Sequence, residues 1–296
     1  MSCDVAISRG LRPLLVSHVP ALLPYKLGAI IQEKLIERRS LARAALRHAK
    51  VDWRPDVSPI NLSPPLLKAW EVANDDVLLL LQHKPVYTLG RRDDAAAIGA
   101  ARSAPDVDIV ATRRGGLLTY HGPGQLVGYP ILDLGAMNMS TRCYVSKLQT
   151  ILRTVLAHPS IGLSTVDSPS TEARYTGVWS DERHKIASLG VQVQHRITSH
   201  GFALNIHRTA LEGFKKIVAC GLPDVQLTCV DEQLDQHGKQ LKLSDSQIAE
   251  MVADQFASTL RRSIQPADAL LQYECSTTKD GTKFVSTVTI EHEKFE

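Results

Sequence analysis

The order of apolar and polar positions divides this chain into short strands set among a few amphipathic helices. Leu14-Leu-Val-Ser-His-Val19 reads as a strand, and Leu27, Ile30, Ile31 and Leu35 recur at helical spacing from about Pro24. The continuation from Glu37 to Lys50 is rich in Arg and Ala, and Pro55, Pro59, Pro64 and Pro65 then oppose regular structure. This predicts an insertion or mobile loop over residues 41–75. Val77–Gln82 has the composition of a buried strand that Pro85 ends, and residues 93–108 read as a surface excursion before a strand at 109–112. Tyr129–Leu134 is the next strand, with Pro130 favouring an edge or the first paired position.

Ser140–Ala157 reads as a helix with Val145, Leu148, Ile151, Leu152 and Val155 on one face, stopped by Pro159. Three strands then follow in succession, at Thr176–Trp179, Lys185–Val193 and Gly201–Ile206, with turns at Ser180–Arg183 and His195–Arg196. Ser244 and Gln247 form a capping box ahead of the stripe Ile248, Val252, Phe256 and Leu260. Asp280-Gly281 between alternating segments predicts a hairpin appended at the end. Clustered strands with helices at both ends and in the middle favour an α+β fold, a mixed sheet flanked by helices, over strict βαβ alternation.

Composition narrows the function classes. The 296 residues are 44% hydrophobic, enough for a full core. Lys and Arg total 34 against 31 Asp and Glu, so a net charge of +3 gives no expectation of a nucleic-acid groove. Asp75, Asp76, His83 and Lys84 bracket the most apolar run, and no segment is long enough to span a bilayer, so no membrane partner is expected. The five cysteines form no Cys-x-x-Cys pair, which favours a reducing compartment. Arg9 and Arg12 against Asp4 would suit the start of a transit peptide.

The densest chemistry lies in Arg114-Gly-Gly-Leu-Leu-Thr-Tyr-His-Gly-Pro-Gly-Gln125, four glycines and a proline within twelve residues. Such a backbone bends tightly and approaches a bound molecule closely. It lacks the Gly-Lys-Ser/Thr ending of a P-loop and the Gly-x-Gly-x-x-Gly of a dinucleotide fold, and no Gly-x-Ser-x-Gly elbow occurs, so neither a nucleotide cofactor nor a serine hydrolase is expected. His195, His200, His207 and Cys220 have no familiar zinc spacing, and no metal is expected. Cys220, in Ala219-Cys220-Gly221-Leu-Pro223, sits where an apolar segment gives way to a turn that can present a thiol to a cleft. A free thiol is only a few per cent thiolate at neutral pH and needs a cationic neighbour. Lys185, followed at once by Ile-Ala-Ser-Leu-Gly190, is a lysine in a segment fit for a sheet interior and is the candidate for that neighbour.

At this point the residues resemble a known family. The Arg114–Gln125 run followed by Tyr129-Pro-Ile-Leu-Asp-Leu134 resembles the signature of the lipoyl(octanoyl) transferases. Lys185-Ile-Ala-Ser-Leu-Gly190, His200-Gly-Phe-Ala-Leu-Asn205 and Cys220-Gly221 fall in the family's order, so the resemblance covers approximately Leu14 to Cys229. It implies the fold shared by biotin ligases and lipoate ligases. It also implies an acyltransferase that takes octanoyl from octanoyl-acyl carrier protein and places it on a lysine of a lipoyl domain or glycine-cleavage H protein, with no cofactor.

By the same resemblance Cys220 is the acyl-thioester nucleophile, and Lys185 lowers the pKa of that thiol or takes its proton. Arg114, Gly115, Gly116, Leu117, Leu118, Thr119, Tyr120 and His121 line the substrate site, with Ser188, Leu189 and Gly190, and with Gly201, Phe202 and Ala203. The catalytic domain would span residues 14–265, with the insertion at about 41–75, an N-terminal extension over 1–13 and a C-terminal one over 266–296. Ala219 stands where the family usually has proline. The extra segments suggest a eukaryotic member in the mitochondrial matrix, or a cytoplasmic enzyme if the source is bacterial.

Exchange of one thioester for another is nearly thermoneutral and transfer to an amine runs downhill, so the implied reaction needs no ATP. Burial of the acyl chain would contribute about 0.8 kcal/mol per methylene, enough to select length. Two competing functions share parts of this pattern. An ATP-dependent lipoate-protein ligase would share the fold but not depend on a cysteine, and a non-catalytic module would hold lipoyl domains without reacting.

Overall fold

The computed structural model describes residues 10–93, 107–217, 225–291 and 293–295. The expected transit segment and most of the 93–108 excursion lie outside these residues, as do Ala219, Cys220 and Gly221.

Apolar strands stack side by side to make one mixed sheet. Its members are β1 (Leu14–His18), β2 (Asp76–Leu81), β6 (Gln125–Ile131), β7 (Gly177–Trp179), β8 (His184–Gln194), β9 (Ile197–Asn205), β10 (Gln226–Leu227) and β11 (Ile264–Pro266), in the order β10-β8-β9-β6-β2-β1-β11 with β7 also on β8. The pairs β11–β1, β1–β2 and β10–β8 are parallel and the others antiparallel. β2 is buried along its whole length, as its unbroken apolar composition requires of a central strand covered on both faces. A second small sheet, β4 (Asp108–Ala111), β3 (Val86–Leu89) and β5 (Thr119–His121), carries the glycine-rich segment.

Helices cover both faces. α3 (Thr141–Ala157) and α5 (Asp245–Leu260) build one core with Leu78, Leu80, Leu126, Phe202 and Leu204, and α4 (Val230–Asp235) adds Val230 and Leu234. Ser140 caps α3 by accepting from the Cys143 amide, and the expected Ser244–Gln247 capping box is complete at α5. On α3 the expected Leu148, Ile151, Leu152 and Val155 are buried, joined by Tyr144 and Leu156, while Val145 is only half-buried. On the opposite face α1 (Tyr25–His48) packs Leu27, Ile31 and Leu35 against Val77, Leu79, Val127 and Tyr129. No described helix is long and apolar enough to cross a membrane.

Three expectations need correction. Residues 41–75 are not one loop: α1 runs to His48, and α2 (Pro64–Asn74) leads directly into β2. The Arg-rich composition has a structural cause. Arg39 pairs with the buried Asp76 (2.7 Å) and Arg43 with Asp133 (2.5 Å), so the second half of α1 is held to the ends of β2 and β6 by charge as well as by apolar burial. Arg262 reaches the other oxygen of Asp76 (2.5 Å), and the two arginines hold that carboxyl below its usual range despite its burial.

Pro130 is inside the sheet, not at its edge. β2 runs opposite it (Leu78↔Pro130), while pairing with β9 stops at Gly128↔Phe202. The proline ring turns toward β9, where Gly201 leaves room for it: a Cβ on Gly201 would lie 2.6 Å from Pro130 Cδ. The missing N–H thus falls where the ladder has already ended. Finally, the hairpin of β12 (Leu271–Thr277) and β13 (Lys283–Ile290), extended by β14 (Glu293–Phe295), is built into the second core through Leu271, Val285, Val288 and Ile290.

Candidate active site

Strand alternation and one irregularity decide which side chains meet. On β8 and β9, Ser188 lies opposite Ala203 and Gly190 opposite Gly201, so one face of the sheet carries a patch of four small residues. Lys185 should point to the other face. It does not, because β7 and β8 fall out of step: Val178 pairs with Ala187 but Trp179 with Lys185, leaving Ile186 as an extra residue. This bulge turns Ile186 into the first core and aims Lys185 to the same side as Ser188. Lys185 is only 2% exposed, with its Nζ 5.5 Å from the centre of the buried Trp179 ring. Gly177 makes room for the side chain; a Cβ there would collide with Lys185 Cε.

The result is a narrow cavity, open to solvent, floored by Ser188, Gly190, Gly201 and Ala203. Lys185 lies in its wall, Leu189 and Phe202 line it from the same strands, and Ala173, Arg174 and Thr176 roof it. Its remaining wall is the glycine-rich segment. Arg114 is buried and knits that segment together: Nη1 donates to the Gly115 and Leu117 carbonyls (3.1 and 3.0 Å), and Nη2 to the carbonyl and hydroxyl of Thr88 (2.7 and 2.8 Å). Gly115 donates its amide to the Val191 carbonyl (3.0 Å), which fastens the loop to β8.

Arg114, Gly116, Leu117, Thr119 and His121 face the cavity; Gly115, tied to β8, does not line it, and neither do Leu118 and Tyr120. These two were expected to line the site but pack with Tyr87, Leu211, Phe214 and Cys229 behind it. The reason is the period of two along β5, which sends alternate side chains to opposite sides. Phe202 likewise lies close to the cavity while its ring stacks on Phe256 in the first core.

Several residues of the wall were not read from the sequence as site residues. Tyr25, Tyr129 and His200 line the cavity, and His83 lies just behind them. His83 Nδ1–H donates to the Leu23 carbonyl (2.8 Å), so its Nε2 accepts from the Tyr129 hydroxyl (2.7 Å). His121 Nδ1 meets Gln125 Oε1 (2.7 Å), and the Gln125 amide donates on to Asn205 Oδ1 (2.9 Å). Asn205 in turn donates to the Thr228 carbonyl (2.9 Å), and the Thr228 amide to the Lys185 carbonyl (3.1 Å). This polar chain ties the glycine segment to the strand that carries Lys185.

Burial lowers the pKa of His83 to about 4 and that of His121 well below its usual value, with His83 a further cause for the latter. Burial first, then the Arg114 charge, brings His200 to about 4. All three rings are neutral at pH 7. The only sequence signal for His83 was its place at the end of the most apolar strand; Tyr25 had none.

Among the described cysteines none is an activated thiol of this cavity. Cys229 is buried behind β5 and burial pushes its thiol up to about 11, Cys143 packs on α3, and Cys275 is exposed on the C-terminal hairpin. The sequence-derived nucleophile, Cys220, lies outside the described residues.

A model of the lipoyl protein ligase A/B catalytic domain family matches residues 65–257. The chain is 42% identical over 170 residues to an octanoyltransferase of Gloeobacter violaceus, covering 53% of this chain and 72% of that one. It is 38% identical over 203 residues to an octanoyltransferase of Geobacter sulfurreducens, covering 68% and 79%. The chain belongs to the octanoyltransferase family. Membership makes it an acyltransferase enzyme. Its fold is also that of a lipoate-protein ligase A solved with ATP bound, at a TM-score of 0.56 and 13% identity over 86% of this chain and 87% of the other, a likeness of architecture alone. The expected mixed sheet flanked by helices, lipoate-ligase-like, is therefore the fold observed.

Proposed function

We propose that this enzyme transfers an octanoyl group from octanoyl-acyl carrier protein to a lysine of a lipoyl domain or glycine-cleavage H protein, through a thioester on Cys220. The observation that carries this reading is the β-bulge that aims the buried Lys185 into a slot floored by Ser188, Gly190, Gly201 and Ala203. The Lys185 amine lies in the slot wall beside the Trp179 ring, and a floor of small side chains suits an unbranched acyl chain. Chain connectivity supports the partner. Gln226 pairs with His184 beside Lys185, and the six residues back to position 220 reach at most about 20 Å.

In the first step the Cys220 sulfur attacks the carbonyl carbon of the donor thioester, the carbon–sulfur bond to the carrier breaks, and the carrier thiol leaves with a proton. In the second the acceptor amine attacks the same carbon, an amide forms, and the Cys220 thiol is restored. Lys185 takes the proton of the thiol and returns one to the departing sulfur. The neutral His83, His121 and His200 add no further charge to a cavity whose wall already carries Arg114 and Lys185.

The test is transfer in the absence of any nucleotide. Wild-type protein with octanoyl-acyl carrier protein and a lipoyl domain should produce an octanoyl-lysine amide on the acceptor. Cys220→Ser should abolish it, and Lys185→Arg, which keeps charge but not proton exchange, should slow it by a factor of about 100 or more. A requirement for ATP, or undiminished turnover by Cys220→Ser, would overturn the proposal.

A further inference from the structure

Beside the slot lies a second and larger cavity, of about 890 Å³ and open to solvent, between α1 and the β8–β9 hairpin. Ala29, Gln32 and Ile36 line it from the helix nearest the slot and Gln192, Ser199 and Ile197 from the strands, while Glu33, Glu37, Arg39, Arg43 and Arg47 of α1 and Arg113 make the rest of it charged. Among the described residues just two side chains, Tyr25 and His200, line both cavities.

We propose that Tyr25 and His200 form the end wall of the acyl slot and set the length of chain that the enzyme accepts. The inference rests on the reading above, in which the slot holds the octanoyl group. The floor does not end at this wall. Ser188, Gly190 and Gln192 succeed one another on one face of β8, opposite Ala203, Gly201 and Ser199 on β9, so the same surface runs from the slot into the larger cavity. From Ser188 to Gln192 it extends about 13 Å, room for a chain of this order of length. What interrupts it is the pair of rings above it.

Both rings are held firmly. Tyr25 stacks on His121 with ring centres 6.1 Å apart and planes 10° from parallel, and its centre lies 5.0 Å from that of His83. His200 donates its backbone amide to Gln32 Oε1 (2.7 Å), whose amide group returns to the Gly28 carbonyl (3.3 Å) on α1. The His200 ring meets Tyr129 edge-on at 6.1 Å. Its backbone adopts φ +55°, a left-handed conformation that places the ring against the sheet and that few side chains tolerate. The wall is uncharged, since burial keeps His200 neutral and moves the Tyr25 hydroxyl up to about 12. A methyl terminus can therefore rest against two uncharged rings.

The experiment compares wild-type protein with His200→Gly and with Tyr25→Leu. Glycine suits φ +55°, so the first variant removes the ring without straining the backbone, and the second keeps an apolar side chain on α1. Each enzyme is given acyl-carrier protein loaded with chains of eight, ten, twelve and fourteen carbons, and kcat/KM for each chain is divided by that enzyme's own value for octanoyl.

The wild type should fall steeply beyond octanoyl. In the variants the dodecanoyl-to-octanoyl ratio should rise by about tenfold or more, since each newly buried methylene is worth up to about fourfold in binding. A calorimetric titration with free octanoate and dodecanoate reads the same wall without turnover, and dodecanoate should gain relative affinity in His200→Gly. Unchanged chain-length ratios in both variants, from a wild type that does transfer octanoyl, would overturn the wall and leave the acyltransferase reading intact. A wild type that transfers no acyl chain would overturn that reading and the wall together.

Discussion

Histidines at the two ends of β9 obey opposite electrostatics. At its C-terminal end His207 lies between two carboxylates, with Nδ1 2.9 Å from Asp231 and Nε2 2.8 Å from Asp245. The Asp245 hydrogen bond, opposed by partial burial and aided by Asp231, raises its pKa to about 9. At the slot, His83, His121 and His200 hydrogen-bond to no carboxylate among the described residues, and burial holds all three neutral, with the Arg114 charge a further cause for His121 and His200. The difference separates two tasks. A charged histidine fastens α4 and α5 to the end of β9, while uncharged ones line the space meant for an apolar chain.

Three changes would break or sharpen this contrast. The largest effect should come from Arg114→Ala, which leaves the buried Thr88 carbonyl and the half-buried Gly115 and Leu117 carbonyls without their donor. A loss of about 3 kcal/mol or more is expected in urea denaturation, together with loss of transfer activity, because the slot wall is no longer held. It should also raise the pKa of His200, which the Arg114 charge helps to lower, and NMR titration of the ring reads this.

Next in size is His207→Asn, expected to cost about 1–2 kcal/mol near pH 6, since more than a third of this side chain is exposed and solvent screens its pairs. The folded pKa of about 9 lies above the unfolded value, so the stabilisation is complete below about 6.5 and disappears as pH rises through 9. Wild type and variant should therefore converge by about pH 10. A gap that persists unchanged at that pH would show packing, not charge, to be the cause.

The smallest effect has the opposite sign in pH. The slot histidines resist protonation while the unfolded chain accepts protons below about 6.5, so they weaken the fold as pH falls from 6.5 toward 4. In His200→Asn, which tolerates the left-handed backbone, about 1 kcal/mol of the wild-type loss between pH 8 and pH 5.5 should vanish. Equal losses in the two proteins would show that His200 is already charged or freely solvated.

How much of this was legible beforehand depended on whether the signal was local. The capping box of Ser244 and Gln247 and the turn at His195–Arg196, both residues at positive φ, follow from a few neighbouring residues and were readable. So were the strand that carries Lys185 and the one that precedes the glycine segment, but not β3 or β5. Over residues 41–75 the proline and arginine content reads as a loop, whereas Arg39 and Arg43 on the same helix serve ion pairs with Asp76 and Asp133 that only the tertiary fold reveals. Leu118 and Tyr120 were placed in the site because a motif was read as a block, against the alternation of β5. Nothing in the sequence marks Ile186 as the extra residue of a bulge, yet that residue decides which way Lys185 points. Tyr25 and His83 come from separate elements and meet the glycine segment only in three dimensions.

The account stands on an acyl group carried by one thiol beside Lys185, and the most direct measurement is the mass of the protein after exposure to octanoyl-acyl carrier protein with no acceptor present. Intact wild-type protein should gain one octanoyl group, proteolysis should place it on Cys220, and hydroxylamine should remove it as a thioester. An adduct on Cys143, Cys229 or Cys275, or one undiminished in Cys220→Ser, would contradict the account.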